Sequence, residues 1–161
     1  MTVIIAIDPG KTTGVAMWCD SVGTLGHVLT KGFSSWQATV DEFHEFLAKC
    51  TTLTPVGDIH FVAESFIITI NTAKNTQAPW SLELIGAFKF LANMWFAQKV
   101  TMQAPNIGKT FGTDAKLRHV GWYTRSAPHA NDAARHLMTY AASRGLVFDV
   151  ETLKEDRKSV V

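Results

Sequence analysis

The sequence predicts an α/β fold, a mixed sheet with helices on its faces. Two observations carry this reading. Three β-rich segments follow one another in hairpin succession, and beyond them apolar strands alternate with segments of helical period. The expected order is β-β-β-α-β-α-β-α-α. The 161 residues are a length for one domain and can bury ~70% of the unfolded surface. Hydrophobic residues at 47% and charged residues at 18% make a globular composition, not a disordered one.

The first strand is Val3-Ile-Ile-Ala-Ile-Asp8, an apolar run stopped by the turn pair Pro9-Gly10. Gly14 to Cys19 is the second and Leu25 to Phe33 the third, with Val22-Gly23-Thr24 between them. Ser34 or Ser35 can cap a helix whose apolar positions, Trp36, Val40, Phe43 and Leu47, recur every three or four residues. Pro55 to Asp58 breaks the chain before a fourth strand, Ile59 to Phe66. Asn71 to Pro79 is polar and loop-like. Ser81 to Ala97 then reads as a helix with apolar side chains nearly all round, which needs cover on two sides. The sheet is expected to cover one side and a second subunit the other. Lys99 to Gln103 is a short fifth strand, and Pro105 to Gly121 holds one or two short helices. The last helix starts at Ser126-Ala-Pro128, with proline in its first turn, and runs to about Ser143. Residues 1–150 form the expected domain, and the charged segment 151–161 is expected to fray.

No apolar run approaches the ~18 residues that span a bilayer, and the first residues lack the basic region and cleavage site of a secretory leader. Cys19 and Cys50 match no zinc or CxxC spacing. A reduced, cytoplasmic protein is the expectation. The net charge of +1 is not the strongly basic balance of many nucleic-acid binders, so a nucleic-acid reading has to rest on particular residues.

Four residues carry chemistry by position: Asp8 at the end of the first strand, Glu64 near the end of the fourth, and His129 and Asp132 three apart on one face of the last helix. A carboxylate set in an apolar strand is costly unless something pairs with it. Each residue has a plainer role open to it: Asp8 as a turn former, Glu64 in a salt bridge, Asp132 as a solvated helix residue, His129 as a capping or core histidine. Jointly they offer oxygen and nitrogen ligands for Mg²⁺ or Mn²⁺. Two such ions would activate water and neutralise the leaving oxygen in phosphodiester hydrolysis.

Ile7-Asp-Pro-Gly10 with Thr13-Gly14, then Val62-Ala-Glu-Ser-Phe66, then His129-Ala-Asn-Asp-Ala133, resembles the RuvC group of Holliday-junction resolvases in the RNase H-like superfamily. The small size suggests a phage-encoded relative, acting in the cytoplasm of a bacterial host. The likeness runs from Met1 to about Gly145, and Pro105-Asn-Ile-Gly-Lys-Thr-Phe-Gly-Thr-Asp-Ala-Lys116 also looks like the family's linker before the last helix. It implies an RNase H-like fold, a five-stranded mixed β-sheet flanked by α-helices. It further implies that Asp8, Glu64, His129 and Asp132 bind two catalytic metal ions. Many members carry Asp where His129 stands, which leaves three carboxylates here. Asp8, central in the sheet, is the expected bridge between the ions, with Glu64 on one and Asp132 with His129 on the other.

The implied reaction is paired nicking of four-way and other branched DNA by a homodimer joined through the helix 81–97, one site for each of two equivalent strands. Phosphate contacts are expected from Lys11, Lys74, Lys109, Lys116, Arg118, Arg125 and Arg135, with Lys109 and Lys116 the preferred pair. Phe66 can reach towards unstacked bases or fill the core. Rival readings are an RNase H-like nuclease on other branched DNA or on RNA, and a protein that binds branched DNA without cutting. A P-loop is excluded, because Ile5 and Gln103 stand where each Gly-Lys-Thr triplet needs its upstream glycine. The two-lobed actin-like ATPases are excluded by length.

Overall fold

The computed structural model describes residues 2–19, 25–32, 58–69 and 78–146, together with the helical positions 41, 42, 44, 45 and 48. Most of the helix expected over Trp36–Lys49, the Lys74 loop and the tail 151–161 lie outside the described residues. The elements are β1 (Val3–Asp8), β2 (Thr12–Cys19), β3 (Leu25–Gly32), β4 (Ile59–Glu64), α1 (Ala78–Phe96), β5 (Val100–Gln103), α2 (Pro105–Phe111), α3 (Asp114–His119) and α4 (Pro128–Ser143). Their sheet runs in the order β3-β2-β1-β4-β5. Strand β2 is antiparallel to β1 and to β3, whereas β1, β4 and β5 are mutually parallel. The expectation of a mixed sheet between helices therefore holds. Among the described residues, no helix is long and apolar enough to cross a membrane.

Several element ends differ from the sequence reading, for local reasons. Strand β4 stops at Glu64, two residues before Phe66, after Ser65 N–H makes a last bond to the carbonyl of Gln103 (2.7 Å). Helix α1 begins three residues before Ser81, with Pro79 tolerated in its first turn. Ser81 is buried and donates its hydroxyl to the carbonyl of Pro9 (2.9 Å), so it ties the helix to the turn after β1 instead of starting the helix.

Strand parity divides the core. Side chains of a strand alternate between faces, and in β1 Val3, Ile5 and Ile7 join Ile59, Phe61 and Ala63 against Phe88, Leu91, Ala92 and Phe96 of α1. Ile4 and Ala6 join Val62 against Ala133, Ala134, Leu137, Met138 and Ala141 of α4. The alanines let α4 lie close to the sheet. By the same parity Asp8 and Glu64 belong to the α4 face, and both stand at the carboxyl ends of parallel strands.

The closest approach of α4 is made possible by Gly14, which pairs with Asp8 across β1 and β2. A Cβ at Gly14 would lie 1.9 Å from the carbonyl oxygen of His129 and 2.6 Å from the amide nitrogen of Ala130. Backbone cannot yield as a side chain does. Gly14→Ala should therefore cost about 3 kcal/mol and lower the melting temperature by roughly 6–12 °C, as thermal unfolding followed by circular dichroism will show.

Candidate active site

The site is assembled where β1, β4 and β5 end beneath α4. Asp8, Glu64 and Gln103 are the last residues of their strands, and Glu64 pairs with Gln103 in the parallel ladder. Above them α4 carries His129, Asp132, Arg135 and His136, spaced by three or four residues and thus along one side of the helix. The loop entering α4 is pinned by Asn131, whose side chain accepts from Thr124 N–H (2.9 Å) and donates to Thr124 O (2.8 Å).

Each carboxylate is met by a basic group of that helix. His129 Nδ1 lies 2.8 Å from Asp8 Oδ2. His136 Nε2 lies 2.8 Å from Glu64 Oε2, and its Nδ1 lies 2.8 Å from Gln103 Oε1. Arg135 donates to Asp132 and also to Asp114 at the start of α3. Gly112, just past α2, makes room for this: a Cβ there would sit 2.8 Å from the Cα of Arg135. The acids nonetheless feel one another. Burial pushes the Asp8 carboxyl up to about 6, the charges of Glu64 and Asp132 push the same way, and the His129 hydrogen bond opposes them.

The structure thus brings Asp8 and His129 into contact and sets Glu64 and Asp132 within electrostatic range of Asp8. It does not gather them into a ready ligand cage. Among the described residues no group of three or more His, Cys, Asp or Glu side chains is placed to hold a metal ion. The donor chemistry still fits a hard divalent cation. Asp8, whose proton affinity is raised by burial and by two neighbouring acid charges, has the carboxylates of Glu64 and Asp132 within electrostatic range and the His129 imidazole in contact. A cation here would compete with His129 for Asp8 and with Arg135 for Asp132.

Three contributors were not singled out by sequence reasoning: His136, Gln103 and Asp114. The signal for His136 was its place four residues after Asp132 and seven after His129. Arg135, expected to face phosphates, has its guanidinium engaged by Asp132 and Asp114, and its side chain is only 17% exposed. Of the remaining expected contacts, Lys11, Lys109, Arg118 and Arg125 are exposed and Lys116 is half-buried. Lys116 Nζ lies 3.9 Å over the ring of Phe111, and the Arg118 guanidinium 4.1 Å over that of Tyr123. Phe66 is half-buried, followed by the exposed Ile67 and Ile68.

This sheet order, with helices on both faces, is that of the RNase H-like fold. Among solved structures the chain is similar to Thermus thermophilus RuvC in complex with Holliday junction substrate. The TM-score is 0.64 at 18% identity, covering 91% of this chain and 98% of that one. A second Thermus thermophilus RuvC structure gives a TM-score of 0.63 at 18% identity, covering 90% and 98%. No family model and no curated protein matches the sequence. The chain shares the RuvC fold over about nine tenths of its length.

The raised Asp8 pKa has a definite sign in stability. Folded Asp8 keeps its proton up to about pH 6, whereas an unfolded aspartate releases it near pH 4. Ionisation of Asp8 therefore opposes folding: the cost is absent below about pH 4, grows through the interval and is complete above about pH 6. Its full size is on the order of 3 kcal/mol. Urea unfolding in the presence of chelator should find Asp8→Asn more stable than wild type at neutral pH, with the difference vanishing at acid pH. Parallel pH profiles would contradict the assignment.

Proposed function

We propose that this chain is a metal-dependent endonuclease that cuts branched DNA, four-way junctions foremost, by hydrolysing phosphodiester bonds in paired nicks as a homodimer. One observation carries the reading: Asp8, at the end of β1, pairs with His129 and feels the charges of Glu64 and Asp132, in a fold similar to that of a RuvC in complex with Holliday junction substrate. A protein that only bound DNA would gain nothing from three acids facing phosphates.

Asp8, Glu64, His129 and Asp132 are the residues that would hold two Mg²⁺ or Mn²⁺ ions. When bound, such cations activate water at neutral pH and neutralise charge on the leaving oxygen. The chain's own residues do the rest. The carboxylates repel a bare phosphate, so DNA must be held from outside the acidic cluster. Lys11, Lys109, Lys116, Arg118 and Arg125 supply that hold, and Lys74 is carried over from the sequence. The aromatic rings under Lys116 and Arg118 limit the rotamers these long side chains must give up on binding. Phe66, half-buried two residues past the β4 end, would be the ring that meets the bases of an opened junction.

The second subunit is assigned to α1. Phe88, Leu91 and Phe96 pack on the sheet and Leu84 is buried, while Leu82, Phe90 and Met94 stand exposed, the last two at 62% and 64%. Trp95 is met edge-on by the His44 ring at 4.8 Å between centroids. A two-fold pairing of the exposed stripe would put one site on each strand of a symmetric junction.

A nicking assay tests this directly: a synthetic four-way junction beside duplex, flap, single strand and RNA–DNA hybrid, each with Mg²⁺ or Mn²⁺. Symmetric nicks confined to branched DNA are expected, and Asp8→Asn should bind the junction without nicking it. Preferred cutting of the hybrid, or junction binding by wild type with no nicking in either metal, would overturn the reading. Removing one phosphate contact, as in Lys109→Ala, should lower the slope of log affinity against log salt by about 1. By light scattering, wild type should be a dimer and the double variant Phe90→Glu, Met94→Glu a monomer.

A further inference from the structure

His136 is 1% exposed, and an imidazole is expensive to bury unless both ring nitrogens are met. Both are, by Glu64 on one side and Gln103 on the other, each at 2.8 Å. Gln103 is itself buried, and its backbone carbonyl takes the amide of Ser65 (2.7 Å). Its position is therefore fixed by the same ladder that places Glu64. A third wall comes from α2, where a Cβ on Gly108 would meet three ring atoms at 3.0–3.1 Å. The ring can neither slide nor turn.

Such an arrangement does more than fill space. A core position of this shape accepts an apolar side chain without enclosing two further polar groups. An ionised Glu64 accepts a proton held on Nε2, and the Gln103 amide can meet Nδ1 with either its oxygen or its NH₂. Glu64 sits at a strand end within electrostatic range of Asp8, and among the described residues its one hydrogen-bonded side-chain oxygen is the one held by His136.

We infer that His136, braced by Gln103 and Gly108, is the positioning residue for Glu64: it holds Oε2 and leaves Oε1 as the oxygen offered to a divalent cation. The inference rests on the proposed role of Glu64 as a metal ligand. Outer partners of this kind fix a ligand's direction before the ion arrives, so less ordering is required on binding.

The test is Mn²⁺ binding to DNA-free protein, read from the electron paramagnetic resonance signal of free Mn²⁺, with thermal melts for every variant. His136→Leu, which keeps bulk and loses the donor, should bind Mn²⁺ about 10- to 100-fold more weakly. His136→Gln, whose amide still donates to Glu64, should recover most of the affinity, a rescue that a filler role would not produce. Should His136→Leu fail to fold, nitrogen-15 spectra of the wild-type histidine rings decide. A protonated His136 Nε2 whose resonance moves in Glu64→Gln supports the inference, and an unprotonated Nε2 overturns it. Folded His136→Leu that binds Mn²⁺ as tightly as wild type also overturns it while leaving the metal site standing. Wild type that binds no Mn²⁺ removes the metal site itself, and this proposal with it.

Discussion

The contact on which the rest depends is between Gly14 and the first turn of α4. With no side chain at Gly14, the backbone of His129 and Ala130 comes down onto β2 directly beside Asp8. Any larger residue would hold the helix off and separate its bases from the strand-end acids. The alanines at 130, 133, 134 and 141 extend the same close packing along the helix. Packing and electrostatics are thus one problem here. Three acids can share a small, partly buried region only because one rigid helix delivers His129, Arg135 and His136 to them.

That pairing also explains why the acids stand as separate couples and not as a cage. Each carboxylate takes the nearest basic group of α4, and burial raises the proton affinity of Asp8. The neutralising groups differ in what they can yield. His129 is partly exposed and can turn away from Asp8, and Arg135 has Asp114 as a second acid to hold. His136 is enclosed on all sides. The same helix face therefore combines two partners that can be exchanged with one that is enclosed.

Much of this was legible in the sequence. The apolar run ending in Asp8 located one strand end, and the run expected through Phe66 located the strand of Glu64 while overshooting its end by two residues. The Pro128 start and the His129–Asp132 spacing located the helix face. What was missed depended on pairings that sequence spacing does not state. Gln103 reads as an ordinary strand terminus until β5 is known to lie beside β4. His136 shares the helical period of His129 and Asp132, but its partners come from two strands remote along the chain. Arg135 reads as a phosphate contact, although Asp132 stands three residues before it, and Asp114 completes its pairing only through the fold. Element ends shifted by two or three residues where a single hydrogen bond, such as Ser65 to Gln103 or Ser81 to Pro9, set the boundary.

The central claim concerns what the strand-end acids are for, and a crystal grown with Mn²⁺, with diffraction measured at the manganese absorption edge, tests it most directly. The account predicts anomalous peaks among Asp8, Glu64, His129 and Asp132, with the His136 ring still on Glu64. Peaks elsewhere, or none among these four side chains at saturating manganese, would contradict it.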